Sequence, residues 1–232
     1  MASKKVRKDV TLEFLDKKLV INEVELTEKQ KQLMTLIRND ETKIVFVTGP
    51  AGSSKSFISV LAGLRALRCG ARKRLKYIRS LVESSQNKIG YLPGDVGDKT
   101  APYAAPLLDK LEELISVSDS SRLIQEGTIQ MLSPNFLRGT TFKNEFVIVD
   151  EAQQLPWQDC VTILTRIGEG STLIMAGDLM QADIKNSGFS KLVKLFSDDD
   201  STERGIHSFH FTADDIMRSE ILKFIIAKLE QP

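Results

Sequence analysis

Cysteine is scarce in this chain. Cys69 and Cys160 are the only two in 232 residues, far apart and without partners at metal-ligand spacing. That excludes a disulfide scaffold and a thiolate metal site, and it leads us to expect a reducing, cytoplasmic setting with both thiols as ordinary buried side chains. Histidine is equally rare. His207 and His210 lie on either side of one predicted strand, with no carboxylate or cysteine at ligand spacing, which argues against a metal centre there. Net charge is almost absent: 32 basic residues stand against 31 acidic ones. A nucleic-acid binder of this composition must therefore gather its basic residues into a patch. Apolar runs are short, none near the roughly 20 residues that span a bilayer, so no membrane partner is expected. The basic lead Met1–Lys8 carries no apolar stretch and does not read as a secretory signal. Internal repeats and low-complexity segments are missing too.

What remains is the composition of an ordinary globular domain, 41% hydrophobic and 27% charged, long enough to bury its own core without staples. Residues 1–24 read as a disordered lead followed by a small β-hairpin, with arms near Thr11–Phe14 and Leu19–Ile21 about a break at Asp16-Lys17-Lys18. Residues 25–232 read as the main domain. Thr27 is a candidate N-cap for a short amphipathic helix carrying Leu33 and Ile37. Three apolar runs, at Ile44–Val47, Glu145–Val149 and Thr172–Ala176, have the look of buried parallel strands. Helices are expected over about Lys55–Arg68, Tyr103–Val117, Trp157–Ile167 and Asp214–Leu229. Shorter strands are expected near Tyr77-Ile78 and Ser208–Phe211. Strand alternating with helix predicts an α/β fold: a parallel sheet with helices on both faces. Asp198-Asp199-Asp200 reads as a solvated loop, and Trp157 as half-buried packing.

The first apolar run ends in Gly49-Pro50-Ala51-Gly52-Ser53-Ser54-Lys55-Ser56 and opens a helix. That is the context required of a P-loop. Consecutive backbone amides wrap phosphates and the helix N-terminus adds partial positive charge. Lys55 would reach the β- and γ-phosphates of ATP, and the Ser56 hydroxyl would sit on Mg²⁺. One residue departs from the pattern: Ser54 stands before the lysine, where glycine is usual for its backbone freedom. Alone, the segment could also be a plain Gly/Ser turn between strand and helix.

Asp150 and Glu151 follow the second run directly. An Asp at the carboxyl end of such a strand is placed to hold Mg²⁺, and the Glu beside it to act as general base on water. The third run ends in Gly177-Asp178-Leu179-Met180-Gln181, where Gln181 could hydrogen-bond a γ-phosphate. Asp150, Asp178 and Asp183 could instead suggest a two-metal nuclease, a reading the P-loop makes unnecessary.

Taken together, these motifs resemble the PhoH family of P-loop ATPases, related to superfamily 1 helicases, over about Leu26 to Ile226. Further matching segments are Leu26–Gln30, Arg79–Glu83, Gly90–Asp95, Arg138–Thr141, Leu164–Gly168 and Asp215–Arg218. The resemblance implies a RecA-like core, with Gln30 reading the adenine and Arg218 facing a γ-phosphate. Read bottom-up, Gln30 could equally be a surface residue of an amphipathic helix and Arg218 the partner of Asp214 or Asp215. The resemblance also implies RNA or single-stranded nucleic acid as substrate, and a homo-oligomer in which Arg218 reaches a neighbour's site. The best local groove candidate is the basic run Arg72, Lys73, Arg74, Lys76 and Arg79, with Tyr77 and Tyr91 nearby. The rival expectation is a nucleotide-binding regulator or scaffold that turns over slowly or not at all.

Overall fold

The computed structural model describes residues 19–79, 96–134, 137, 139–181, 187–217, 221 and 228. Helix α1 (Glu28–Arg38) opens on a capping box. The Gln30 amide donates to the Thr27 hydroxyl, and the Thr27 amide donates to the Gln30 side-chain oxygen. Two orphan donors of the first turn are thereby satisfied. Leu33, Met34 and Ile37 form its buried stripe.

Strand β1 (Ile44–Thr48) leads into α2 (Lys55–Arg68), β2 (Arg74–Arg79), α3 (Val96–Leu114), α4 (Val117–Gln125) and β3 (Ile129–Leu132). Then come β4 (Glu145–Asp150), α5 (Trp157–Leu164), β5 (Thr172–Gly177), α6 (Gly188–Leu195), α7 (Asp199–Glu203) and β6 (Ile206–His210). Among the described residues these six strands make one parallel sheet in the order β3-β2-β4-β5-β1-β6. This is the expected α/β sheet of the P-loop NTPase type.

Each face of the sheet carries its own apolar layer. Alternate strand residues Val45, Ile148 and Ile174 meet Leu33 of α1, Ile58, Leu61 and Leu64 of α2, and Leu107 of α3. The intervening residues Phe46, Val149 and Met175 meet Ile163 of α5 and Phe189 and Leu192 of α6. A strand covered on both faces has no polar side to show, which is why β1, β4 and β5 read as unbroken apolar runs. Helix α2 lies close on the sheet because Gly63 lacks a side chain. A Cβ there would stand 2.5 Å from Leu75 Cδ1 and 3.0 Å from Phe146 Cδ1.

Several expectations change. Leu19–Ile21, the second arm of the expected hairpin, is not a strand; Leu19 and Ile21 insert into the main core while Val20 faces out. The other arm lies outside the described residues. Helix α3 starts seven residues before Tyr103, at Val96, and α4, β3 and α6 were not anticipated. Asp198 is not a plain loop residue but the N-cap of α7, accepting from the Ser201 amide at 2.7 Å. That bond holds its carboxyl below the usual range. Cys69 is exposed rather than buried, whereas Cys160 is buried and its thiol is pushed up to about 12 by that burial. Among the described residues no helix is long and apolar enough to cross a membrane. Most of the expected C-terminal helix lies outside the described residues.

Candidate functional site

The carboxyl ends of β1, β4 and β5 are neighbours, and the loops leaving them share one edge of the sheet. In open α/β sheets that edge is where ligands bind. The loop after β1 is shaped by contacts from within and from β6. Gly49 has φ +147, and a Cβ on it would lie 2.7 Å from both Cβ and carbonyl oxygen of Phe211. No other residue fits there. The Phe211 amide donates to the Thr48 carbonyl at 2.8 Å, so the chain leaving β6 fixes where the loop starts. Ser53 is fully buried, its hydroxyl donating to the Pro50 carbonyl at 2.8 Å across the turn. Ser54 has φ 64 and ψ 19, the left-handed region, and makes no capping bond to α2. The position does require the conformation glycine prefers, and serine adopts it under strain.

Lys55 folds back over this loop. Its ammonium donates to the Gly49 and Pro50 carbonyls, both at 2.7 Å, and to the Ser53 hydroxyl at 3.4 Å. Burial pushes its pKa down, opposed by the negative charge of Asp178, Glu151 and Asp150. A partly desolvated cation among carbonyl oxygens is a natural counter-ion for phosphate.

On the β4 side, Asp150 is almost fully buried and accepts from three donors. The Ser56 hydroxyl donates to Oδ1; the Tyr77 hydroxyl and the Arg79 guanidinium (3.3 Å) donate to Oδ2. Burial raises the Tyr77 pKa far out of reach, and the adjacent Asp150 charge adds to the effect, so its proton stays in place as a donor. Glu151 also adopts left-handed backbone, with φ 53 and ψ 42. Gln153, itself buried, donates from Nε2 to Glu151 Oε2 at 2.6 Å while its Oε1 accepts from the Asp178 amide at 3.0 Å. Gln154 reaches the Gln181 carbonyl at 3.2 Å. Two consecutive glutamines thus tie the end of β4 to the end of β5. Arg79 Nη2 stands 3.8 Å from Glu151 Oε1.

These groups face one cleft of about 530 Å³, within the usual range for a small-molecule site. It brings together Gln30, Lys55, Ser56, Asp150, Glu151 and Gln181, with Ala51, Gly52 and Ser54 of the loop. Gly49, Pro50 and Ser53 shape that loop from behind. Gln30 is only 4% exposed. The capping box uses one lone pair of its Oε1, which leaves by valence a second lone pair and the amide hydrogens for a ligand. Ser56 and Asp150 are hard oxygen donors, the type that suits Mg²⁺, and among the described residues no cluster of three His, Cys, Asp or Glu side chains forms a metal cage. Arg218 lies outside the described residues. The residue before it, Met217, lines the cleft and donates its amide to the Gly52 carbonyl at 3.1 Å.

Sequence reasoning missed Val24, Glu25, Phe57 and Glu113, which also line the cleft. Only Phe57, next to Ser56, carried any local hint. The expected basic groove does not stand as drawn. Lys76 is buried against Glu145 at 3.0 Å, Arg74 pairs with the same carboxylate at 3.3 Å, and Arg72 bonds Thr172 Oγ1 at 2.8 Å. Tyr77 and Arg79 serve Asp150 instead. Tyr91, Arg138 and Asp183 fall outside the described residues.

The profile of the PhoH family, described as PhoH-like protein, matches residues 24–230. A PhoH-like protein of Synechocystis is 32% identical over 208 residues, covering 88% of this chain and 61% of the relative. One from Bacillus subtilis is 31% identical over 201 residues, covering 85% and 60%. The chain thus spans about three fifths of the length of the curated relatives it matches. Among solved structures, the large terminase of a thermophilic bacteriophage superposes with a TM-score of 0.55 at 13% identity, over 90% of this chain and 51% of the terminase. That likeness is one of fold.

Proposed function

From the premise that this chain belongs to the PhoH-like protein family, we propose that it binds ATP with Mg²⁺ and hydrolyses it, in work on RNA or single-stranded nucleic acid. The observation that carries the hydrolytic part is the Ser56–Asp150 hydrogen bond. It joins the phosphate loop of β1 to the acidic end of β4, with Lys55 and Glu151 facing the same cleft. A turn between strand and helix has no need of that closure; a metal–triphosphate site does.

The loop amides and the N-terminus of α2 take the phosphates. Lys55 exchanges part of its bonding to loop carbonyls for the β- and γ-oxygens, where its charge stabilises the transition state. Ser56 and Asp150 would hold Mg²⁺, which would supply neutralisation of phosphate charge. Gln153 holds Glu151 at Oε2, while Oε1 has only Arg79 at 3.8 Å and is the more weakly held oxygen, the one to face water. The water oxygen bonds the γ-phosphorus, its proton passes to Glu151, and the bond to the β,γ-bridging oxygen breaks with its electron pair leaving on ADP. Gln181 contacts the γ-phosphate, Gln30 the adenine, and Arg218 the developing charge.

The nucleic-acid partner and a homo-oligomeric state rest on the family resemblance. Phosphate release measured with and without RNA tests the whole reading, and sedimentation tests the assembly. RNA-stimulated release supports it. ATP binding without release supports a second reading, a nucleotide-dependent regulator, which the strained Ser54 favours.

A further inference from the structure

We propose that Tyr77, with Arg79 beside it, is a positioning residue that anchors the metal-holding carboxylate of Asp150. The inference rests on the Mg²⁺–ATP reading above. It starts from strand register. β2 and β4 are parallel, with Tyr77 opposite Ile148 and Arg79 opposite Asp150. All four side chains therefore project to one face of the sheet, the face covered by α2. Tyr77 is one step short of Asp150 along that face, and a tyrosine is long enough to reach the diagonal neighbour.

The division of bonds on Asp150 is asymmetric. Oδ1 faces Ser56 at the N-terminal turn of α2, on the cleft side. Oδ2 is held from behind by the Tyr77 hydroxyl and by Arg79. A carboxylate held at one oxygen by two donors from one strand presents the other in a fixed direction. Tyr77 is fully buried, so its packing holds the ring and keeps the hydroxyl on Oδ2. Arg79 also approaches Glu151, so the last turn of the pleat in β2 sets the geometry of both carboxylates. Neither residue lines the cleft; Tyr77 acts through Asp150, and Arg79 through Asp150 and Glu151.

The test is Tyr77→Phe in the full chain, which keeps the ring and its packing. Binding of a fluorescent ATP analogue is titrated in excess EDTA and then against Mg²⁺, and bound Mn²⁺ is counted directly by electron paramagnetic resonance. We expect unchanged metal-free nucleotide binding and a Mg²⁺ midpoint raised about 10-fold, the usual scale for losing a partner of a ligating group. Arg79→Met, at a half-buried site, is expected to move the midpoint the same way, and it carries the test if Tyr77→Phe fails to fold. A Mg²⁺ effect in the parent chain that is the same in both variants overturns this inference alone. If the parent chain itself shows no Mg²⁺-dependent nucleotide binding, the underlying reading falls and this inference with it.

Discussion

Replacing Ser54 by glycine isolates the one residue at which the phosphate loop departs from its usual pattern. Ser54 sits at φ 64, ψ 19 without a capping hydrogen bond, so its side chain offers nothing at the helix start to offset the left-handed backbone. Holding a non-glycine residue there costs about 1–2 kcal/mol. Glycine removes that strain but gives up about 0.5–1 kcal/mol through the greater freedom of the unfolded chain. The balance is a gain of roughly 0–1.5 kcal/mol, or a melting temperature higher by up to about 4 °C in a domain of this size. Ser54→Ala keeps the Cβ and therefore the strain, so it is expected to melt within about 1 °C of the parent. Urea titration and thermal melts of the three proteins give the stabilities, and phosphate release gives turnover, which should be equal or higher in the glycine variant. A glycine variant less stable than the parent, or one that binds ATP yet turns it over markedly more slowly, refutes the strain argument. It would show that the Ser54 hydroxyl has work of its own at the phosphates.

Three other outcomes follow from the site. Lys55→Ala should abolish hydrolysis and weaken ATP binding in steady-state and equilibrium assays, since among the described residues no other lysine lines the cleft; unchanged turnover would remove the phosphate-loop assignment. Glu151→Gln should retain nucleotide and Mg²⁺ binding and lose roughly 10²-fold or more in rate, the scale of a general base; equal loss of binding would make Glu151 a ligand or a structural group. The hydrogen bond from the Met217 amide to the Gly52 carbonyl of the same chain places the residue before Arg218 at its own loop. Mixing inactive Lys55→Ala and Arg218→Ala proteins should then restore no ATPase activity, reversing the expectation of action in trans; recovery on mixing would reinstate a neighbour's finger.

The buried pKa of Lys55 gives a further check. Burial lowers it in the free protein, with three carboxylates opposing, and phosphate in the cleft adds attraction that raises it. Binding at alkaline pH should therefore take up a proton, and affinity should fall as pH rises through the free-state pKa, below the ordinary lysine value of about 10.5. Calorimetry in buffers of different ionisation enthalpy reads that uptake directly; proton release instead would contradict the sign.

Much of the sheet was legible in the sequence because burial on both faces leaves a strand no polar side. Ile44–Val47, Glu145–Val149 and Thr172–Ala176 are the three strands at its centre. The edge strand β3 was not legible, since Ile129-Gln130-Met131-Leu132 is short, only partly buried and without alternation. Helix α6 escaped because it makes barely two turns and buries only Gly188, Phe189 and Leu192, too short a stretch to stand out although it is amphipathic. The chemistry of the loop was legible because backbone amides and one lysine act through local spacing. Lys55, Ser56, Asp150, Glu151 and Gln181 all meet in one cleft, though they follow or end three different strands.

What local sequence determined, then, is the set of groups whose work depends on their immediate neighbours: the cradle Gly49–Ser56, the capping box of Thr27 and Gln30, and the acidic end of β4. What only the tertiary structure decided is which distant side chains complete them. Arg72, Arg74, Lys76 and Arg79 form a basic run on paper. In the fold, strand register sets Arg74 and Lys76 against Glu145 and Arg79 against Asp150, and turns Tyr77 inward. A charge in sequence has no partner until a neighbouring strand supplies one, and β4 arrives some seventy residues later.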